Sequence, residues 1–312
     1  MSKNVRTTAI DVREIADPRT YSWREWTNLI LQLGKMKISL LATLSAAAGY
    51  LLATGRISIH MLAPTAAVFL LACGSCGFNQ YQERKIDRLM LRTRLRPIPS
   101  GRLNPETALF ISLGLILSGF VILLYGPNKI ALCLGLFAVA WYNGIYTYLK
   151  QKTAFAATPG ALVGTIPPAL GWVTGGGRIL DPQIGAIALF FFIWQIPHFW
   201  LLLPDSSRDY ERTGLPCITK LFSAKQIKRI IFTWLLSTGV SSLIIPLFGL
   251  LNSFFSCLLL MAAACWLFLS AVSFLKADFE EAISRAIFTK LNLFTLIILI
   301  LLSLNKMLMG IG

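Results

Sequence analysis

Long apolar blocks recur along this chain, and they constrain its fold more than any other feature. A helix that crosses a bilayer needs about 20 consecutive, mostly apolar residues. Nine such stretches can be read, at about 36–54, 58–78, 105–125, 129–149, 154–174, 183–203, 229–250, 252–275 and 287–306. Charged residues make up only 14% of the 312 positions, where a soluble domain carries about 25%. The expected fold is therefore all-α: a polytopic bundle of nine transmembrane helices around a central cavity open to the cytoplasmic side. Residues 36–312 form its single membrane domain and 1–35 a cytoplasmic arm. Pro159, Pro167 and Pro168 interrupt the fifth stretch, and Pro197 lies near the end of the sixth. Membrane helices tolerate such breaks where neighbours or a cavity satisfy the freed backbone groups.

The basic residues fix an orientation. Cytoplasmic loops of membrane proteins are enriched in Lys and Arg. With the N-terminus inside, 25 of the 29 Lys and Arg residues fall on the cytoplasmic side, and only Arg56, Lys129, Arg178 and Lys306 fall outside. The C-terminus is then expected outside, in the cytoplasmic (inner) membrane of a cell. The net charge of +15 becomes a basic cytoplasmic face that attracts lipid headgroups and anionic substrates, so no nucleic acid needs invoking. No cleavable signal peptide is expected, because the first apolar run begins near Met36, after Arg6, Arg13, Arg19 and Arg24. An amphipathic stretch from Trp23 to Leu33 is expected to lie on the membrane surface.

Cys73 and Cys76 form a C-x-x-C. No second such pair or histidine pair lies nearby, and Ala-Cys-Gly-Ser-Cys-Gly resembles the small-residue face of a packed membrane helix. Packing is the expected role, and no disulfide framework is implied.

The 14 acidic residues are informative through their placement. The second span runs into Asn79-Gln-Tyr-Gln-Glu83-Arg-Lys-Ile-Asp87, whose spacing of four stacks Asn79, Glu83 and Asp87 on one helix face. The sixth runs into Asp205-Ser-Ser-Arg-Asp209, with the same spacing. Both series emerge on the cytoplasmic side. Acid pairs at matching depth repel each other unless a cation lies between them, and Mg2+ suits one or two carboxylates plus substrate phosphate oxygens. Glu83, Asp87, Asp205 and Asp209 are thus candidate metal ligands, with Asn79 beside them. Arg92, Arg96, Lys150, Lys152 and Arg208 are candidate partners for a diphosphate, Arg through its planar fork. Taken singly, each series is also what a solvated helix end carries. Two series on two helices, with arginines close behind, point to a bound phosphate ester.

Such a site suits an apolar tail held between helices with its diphosphate at the cytoplasmic rim. Metal and cations stabilise the departing diphosphate, an allylic carbocation forms, and water must be kept away from it. Trp141, Tyr142, Tyr146, Tyr148 and Trp194 are candidate walls, since aromatic faces attract cations. His198, near the cytoplasmic end of the sixth span, is a candidate catalytic residue because the Asp205 turn follows directly. His60, at the opposite end of the second span, reads as interfacial. Asp278, Glu280 and Glu281 read as a solvated loop.

These residues resemble the UbiA-type intramembrane prenyltransferases, and within them the branch that farnesylates protohaem IX. The frame of an asparagine, spaced acids and M-x-R-T-x-x-R-P-x-x-x-G is met by Asn79, Glu83, Asp87, Met90, Arg92, Thr93, Arg96, Pro97 and Gly101. Gly160 to Trp172 resembles a G-x-x-x-G-x-x-P-P-x-x-G-W helix, and Trp194 to Trp200 a P-H-F-W block followed by Asp209-Tyr210 and Gly214-Leu-Pro216. Glu83 stands where the family usually has aspartate, Lys85 where it often has an acid, and Cys217 where methionine is usual. The resemblance runs from about Gly34 to Pro216. It implies transfer of farnesyl from farnesyl diphosphate to a vinyl group of haem B, with Mg2+ as cofactor and addition of water, giving haem O. With haem as acceptor, His198 is open to contact with haem iron, a propionate or the reacting vinyl. The residues themselves support the diphosphate half and leave open a quinone-precursor acceptor, a transporter, or a haem-binding assembly factor.

Overall fold

The computed structural model describes residues 21–202, 209–210 and 212–309, and all regular structure among them is helical. Among the described residues, eight helices are long and apolar enough to cross a membrane. They carry large apolar side chains on their outer surfaces, such as Phe110, Leu117, Val240, Phe254, Leu269 and Ile300. An apolar exterior suits a lipid surround, and the chain is an integral membrane protein.

Helix α1 (Trp23–Leu33) begins at a capping box, with Ser22 and Glu25 bonding each other's backbone amides. It buries Leu29 and Leu33 while Trp23, Ile30 and Leu31 stay exposed, the split expected of a helix lying along a membrane surface. Helix α2 (Met36–Thr54) follows at once. Helix α3 (Leu62–Asp87) has 26 residues, about 39 Å at 1.5 Å per residue, against a hydrocarbon core of about 30 Å. The expected second span stopped near residue 78. The helix continues for two more turns and carries Asn79, Glu83 and Asp87 on one face. Cys73 and Cys76 are free and buried in it, in keeping with packing.

Helix α4 (Pro105–Tyr125) starts at an Asn104 cap and packs on α3. Gly74 and Gly77 admit the close approach: a Cβ on Gly74 would lie 2.7 Å from the Ser112 carbonyl oxygen, and one on Gly77 2.3 Å from the Ser112 hydroxyl. Helix α5 (Lys129–Leu149) contains a π-helical stretch at Ala140–Tyr146. Such wide turns insert a residue and are common where helices carry function.

The expected fifth span is not one continuous helix. Its prolines divide it into α6 (Ala157–Ala161), a 3-10 turn (Leu162–Thr165) and α7 (Ile166–Thr174). Pro167 and Pro168 fall in the first turn of α7, where a missing N–H leaves no bond unmade. Helices α2 and α7 then press together along glycines. A Cβ on Gly171 would lie 1.8 Å from the Ala46 carbonyl oxygen, and one on Gly49 2.0 Å from that of Pro168.

The remaining helices are α8 (Pro182–Trp200), α9 (Ala224–Ile244), α10 (Phe254–Lys276) and α11 (Glu281–Met309). A core that includes Phe190, Leu235, Leu267, Phe274, Phe294 and Ile298 joins them.

Candidate active site

The three α3 residues are buried at a helix end whose last turn also carries Arg84 and Lys85. Asn79 is 1% exposed, Glu83 6% and Asp87 3%. Charged residues are almost never this buried unless paired, and both acids are. Lys150 Nζ, just past the end of α5, lies 2.6 Å from Glu83 Oε1 and 2.7 Å from Oε2. Arg96 Nη1 lies 2.6 Å from Asp87 Oδ2, and Thr93 Oγ1 donates to the Asp87 carbonyl. Asn79 Nδ2 donates to Thr147 Oγ1, which in turn donates to the Tyr142 carbonyl in the π-helical stretch. The wide turn of α5 is thereby locked to α3.

A second tie between these helices was not read from the sequence. Asn143 Nδ2 donates to the Ser75 carbonyl and to Gln82 Oε1, while Gln82 Nε2 donates to the Asn143 carbonyl. An asparagine within an apolar span is costly unless bonded, and that was the available signal.

Asp209 accepts from two backbone amides, Leu91 at 2.8 Å and Arg92 at 3.0 Å. Its carboxylate ties the 88–96 segment to the chain that follows α8. Arg92 itself is exposed, as is Lys152. Asp205 and Arg208 lie outside the described residues.

Lys35 is a basic residue near this cluster that sequence reasoning did not single out. It links α1 to α2 with φ 46°, the sole described non-glycine residue with positive φ, a conformation that costs about 1 kcal/mol or more. Burial pushes its ammonium pKa down; Arg96 and Lys150 act in the same direction and Glu83 against it. Lys35, Arg96 and Lys150 therefore share one electrostatic neighbourhood with Glu83.

Aromatic rings run from these charges into the bundle. Lys150 Nζ lies 5.5 Å from the centre of the Tyr146 ring. Tyr146 stacks on Tyr142 at 5.7 Å and on Phe199 at 6.4 Å, and Phe199 meets His198 at 5.9 Å. His198 lies between Trp194 and Phe288, at 4.7 and 4.6 Å. Of the five aromatics expected to wall the site, Tyr142, Tyr146 and Trp194 belong to this row. Trp141 instead donates to the Pro159 carbonyl, and Tyr148 is exposed.

Among the described residues, no group of three or more His, Cys, Asp or Glu side chains is placed to hold a metal. Asn79, Glu83 and Asp87 still present hard oxygen donors on one face, a set that fits Mg2+ when substrate phosphates complete the octahedron.

The model of the UbiA prenyltransferase family matches residues 41–296. The chain is similar to the protoheme IX farnesyltransferase of Geobacter sulfurreducens, with 37% identity over 71% of this chain and 82% of that one. The enzyme of that name from Oleidesulfovibrio alaskensis is 34% identical over 69% and 76%. Two solved structures share the fold. One, from work on digeranylgeranylglyceryl phosphate synthase, has a TM-score of 0.73 at 17% identity and covers 91% of this chain and 99% of that one. The other, a UbiA homologue from Archaeoglobus fulgidus bound to GPP and Mg2+, has a TM-score of 0.63 at 14% identity, with 88% and 99% covered.

Proposed function

Because the chain belongs to the UbiA prenyltransferase family, we propose that it transfers farnesyl from farnesyl diphosphate to a vinyl group of haem B, giving haem O and diphosphate. It is a membrane prenyltransferase. The farnesyl donor and haem acceptor are supported by likeness to protoheme IX farnesyltransferases over most of the chain. The observation that carries the diphosphate half is the pairing of buried Glu83 and Asp87 with Lys150 and Arg96.

Lys150 and Arg96 are held by these carboxylates. A diphosphate offers them a more highly charged partner and frees the α3 oxygens. Asn79, Glu83 and Asp87 would then hold Mg2+, with Asp205 and Asp209 as further ligands. Bound there, the metal would supply neutralisation of charge on the leaving diphosphate. Lys35, Lys150 and Arg96 add preorganised positive charge at that end, with Arg92, Lys152 and Arg208 at the rim. Asp209 also holds the backbone that presents Arg92 and Arg96.

As the C1–O bond breaks, its electron pair leaves with the diphosphate and an allylic cation remains. The vinyl π pair bonds to C1, and water adds to the resulting porphyrin-side cation with loss of a proton. Tyr142, Tyr146 and Phe199 exclude water from the first cation and offer it their faces. His198, at the far end of the row, holds the acceptor.

His198→Ala separates the two halves. It should weaken haem B binding and slow transfer by about a hundredfold, the scale of a 1 Å misplacement, with farnesyl diphosphate binding nearly unchanged. Absorbance titration with haem and a separate diphosphate-binding assay read the two. Unaltered haem affinity and turnover would remove His198 from the site and leave a different prenyl acceptor, such as a quinone precursor, as the better choice.

The charge asymmetry supports a cytoplasmic N-terminus and an outside C-terminus in the inner membrane. A reporter fused to the C-terminus should be active only outside; activity confined to the cytoplasm would contradict this topology.

A further inference from the structure

The imidazole of His198 is held from α11. Its Nδ1 lies 2.9 Å from Asn292 Oδ1, across 94 residues of sequence. Phe288 and Asn292 are four residues apart on α11, and Trp194 and His198 are four apart on α8, so each pair shares a helix face. The two faces meet, with the ring between Trp194 and Phe288 and its Nδ1 edge on the amide. A carbonyl oxygen accepts hydrogen bonds and cannot donate them. Nδ1 therefore carries the proton, and in the neutral ring Nε2 keeps its lone pair. No described residue bonds to Nε2.

We propose that Asn292 is a positioning residue that fixes His198 with Nδ1 protonated, so that Nε2 ligates the iron of haem B. A lone pair suits iron, whereas a propionate carboxylate requires a donor, so this tautomer selects among the contacts open to His198. Ligating histidines generally donate their second ring N–H to an oxygen acceptor, which sets the ring's orientation and raises its basicity. The proposal rests on haem B being the acceptor.

The test uses the purified full chain titrated with haem B, comparing wild type, Asn292→Leu, Asn292→Asp, His198→Ala and the His198→Ala/Asn292→Leu double variant. Asn292→Leu removes the acceptor and should weaken haem affinity by about tenfold, the usual scale for losing such a partner. It should weaken affinity no further in the His198→Ala background, since the two residues act as one unit. Asn292→Asp keeps an acceptor, so it should retain affinity. It should also raise the iron–histidine stretching frequency of the ferrous complex, because a carboxylate draws the Nδ1 proton more strongly. A merely structural role for Asn292 would not move that frequency.

If His198→Ala weakens haem binding but Asn292→Leu does not, or does so equally with and without His198, the role of Asn292 is overturned. If His198→Ala leaves haem binding intact, the haem assignment itself fails, a different failure. Farnesyl diphosphate binding, measured in parallel, reports whether each variant is folded.

Discussion

Asp87→Ala should lower turnover by about two orders of magnitude or more, the scale on which loss of one preorganised charge-stabilising group is felt. Asp87 is 3% exposed and its carboxylate holds Arg96 at 2.6 Å. The substitution removes an α3 oxygen donor and leaves Arg96 without that anchor. Breaking such a buried pair also costs stability, about 3–5 kcal/mol where neither water nor another partner compensates. Arg96 is 23% exposed, so solvent recovers part of this. Asp87→Asn keeps the volume and most of the packing and separates the two effects. Both variants should elute from size exclusion as the wild type does and bind haem B, while turnover collapses. Normal turnover in either would remove Asp87 from the diphosphate site.

The second large effect concerns the broken helix. Gly171→Val should prevent stable folding, because its Cβ would lie 1.8 Å from the Ala46 carbonyl oxygen and 2.8 Å from the Tyr50 amide nitrogen. Both obstacles are backbone, so α2 and α7 must separate rather than a side chain turn aside. The expected loss is about 3 kcal/mol or more, at the upper end for overpacking. Thermal unfolding in detergent measures it. Gly114→Ala is the control, since nothing lies within 4 Å of a Cβ there. An unchanged melting temperature for Gly171→Val would mean that α2 and α7 are not in contact.

These two residues show what a sequence can and cannot disclose. The spans were legible because bilayer thickness imposes a length on apolar runs, and helices α2 and α4 keep the expected limits of 36–54 and 105–125. The face of α3 was legible because a spacing of four is a property of one helix. Gly171 falls in a recognisable G-x-x-x-G-x-x-P-P-x-x-G-W pattern, yet the pattern does not say that its partner is the backbone of α2.

Long-range pairings carry no periodic mark. Nothing in the local sequence joins Glu83 to Lys150, His198 to Asn292, or Asp209 to the amides of Leu91 and Arg92. Lys35 was hidden for a different reason. It reads as one more basic residue of a cytoplasmic leader, and its left-handed backbone at the α1–α2 turn leaves no local sequence mark. Asn143 and Asn292 were the exceptions that could have been found, as polar residues inside apolar helices.

The central claim is that a prenyl diphosphate and haem B meet in this bundle and react. Purified protein incubated with haem B, farnesyl diphosphate and Mg2+, with the porphyrins resolved by mass spectrometry, tests it most directly. The expected product is haem B carrying one added farnesyl group and one added hydroxyl, formed only when all three additions are present and absent with Asp87→Ala. Unchanged haem B, alongside prenylation of a quinone precursor offered in its place, would contradict the account.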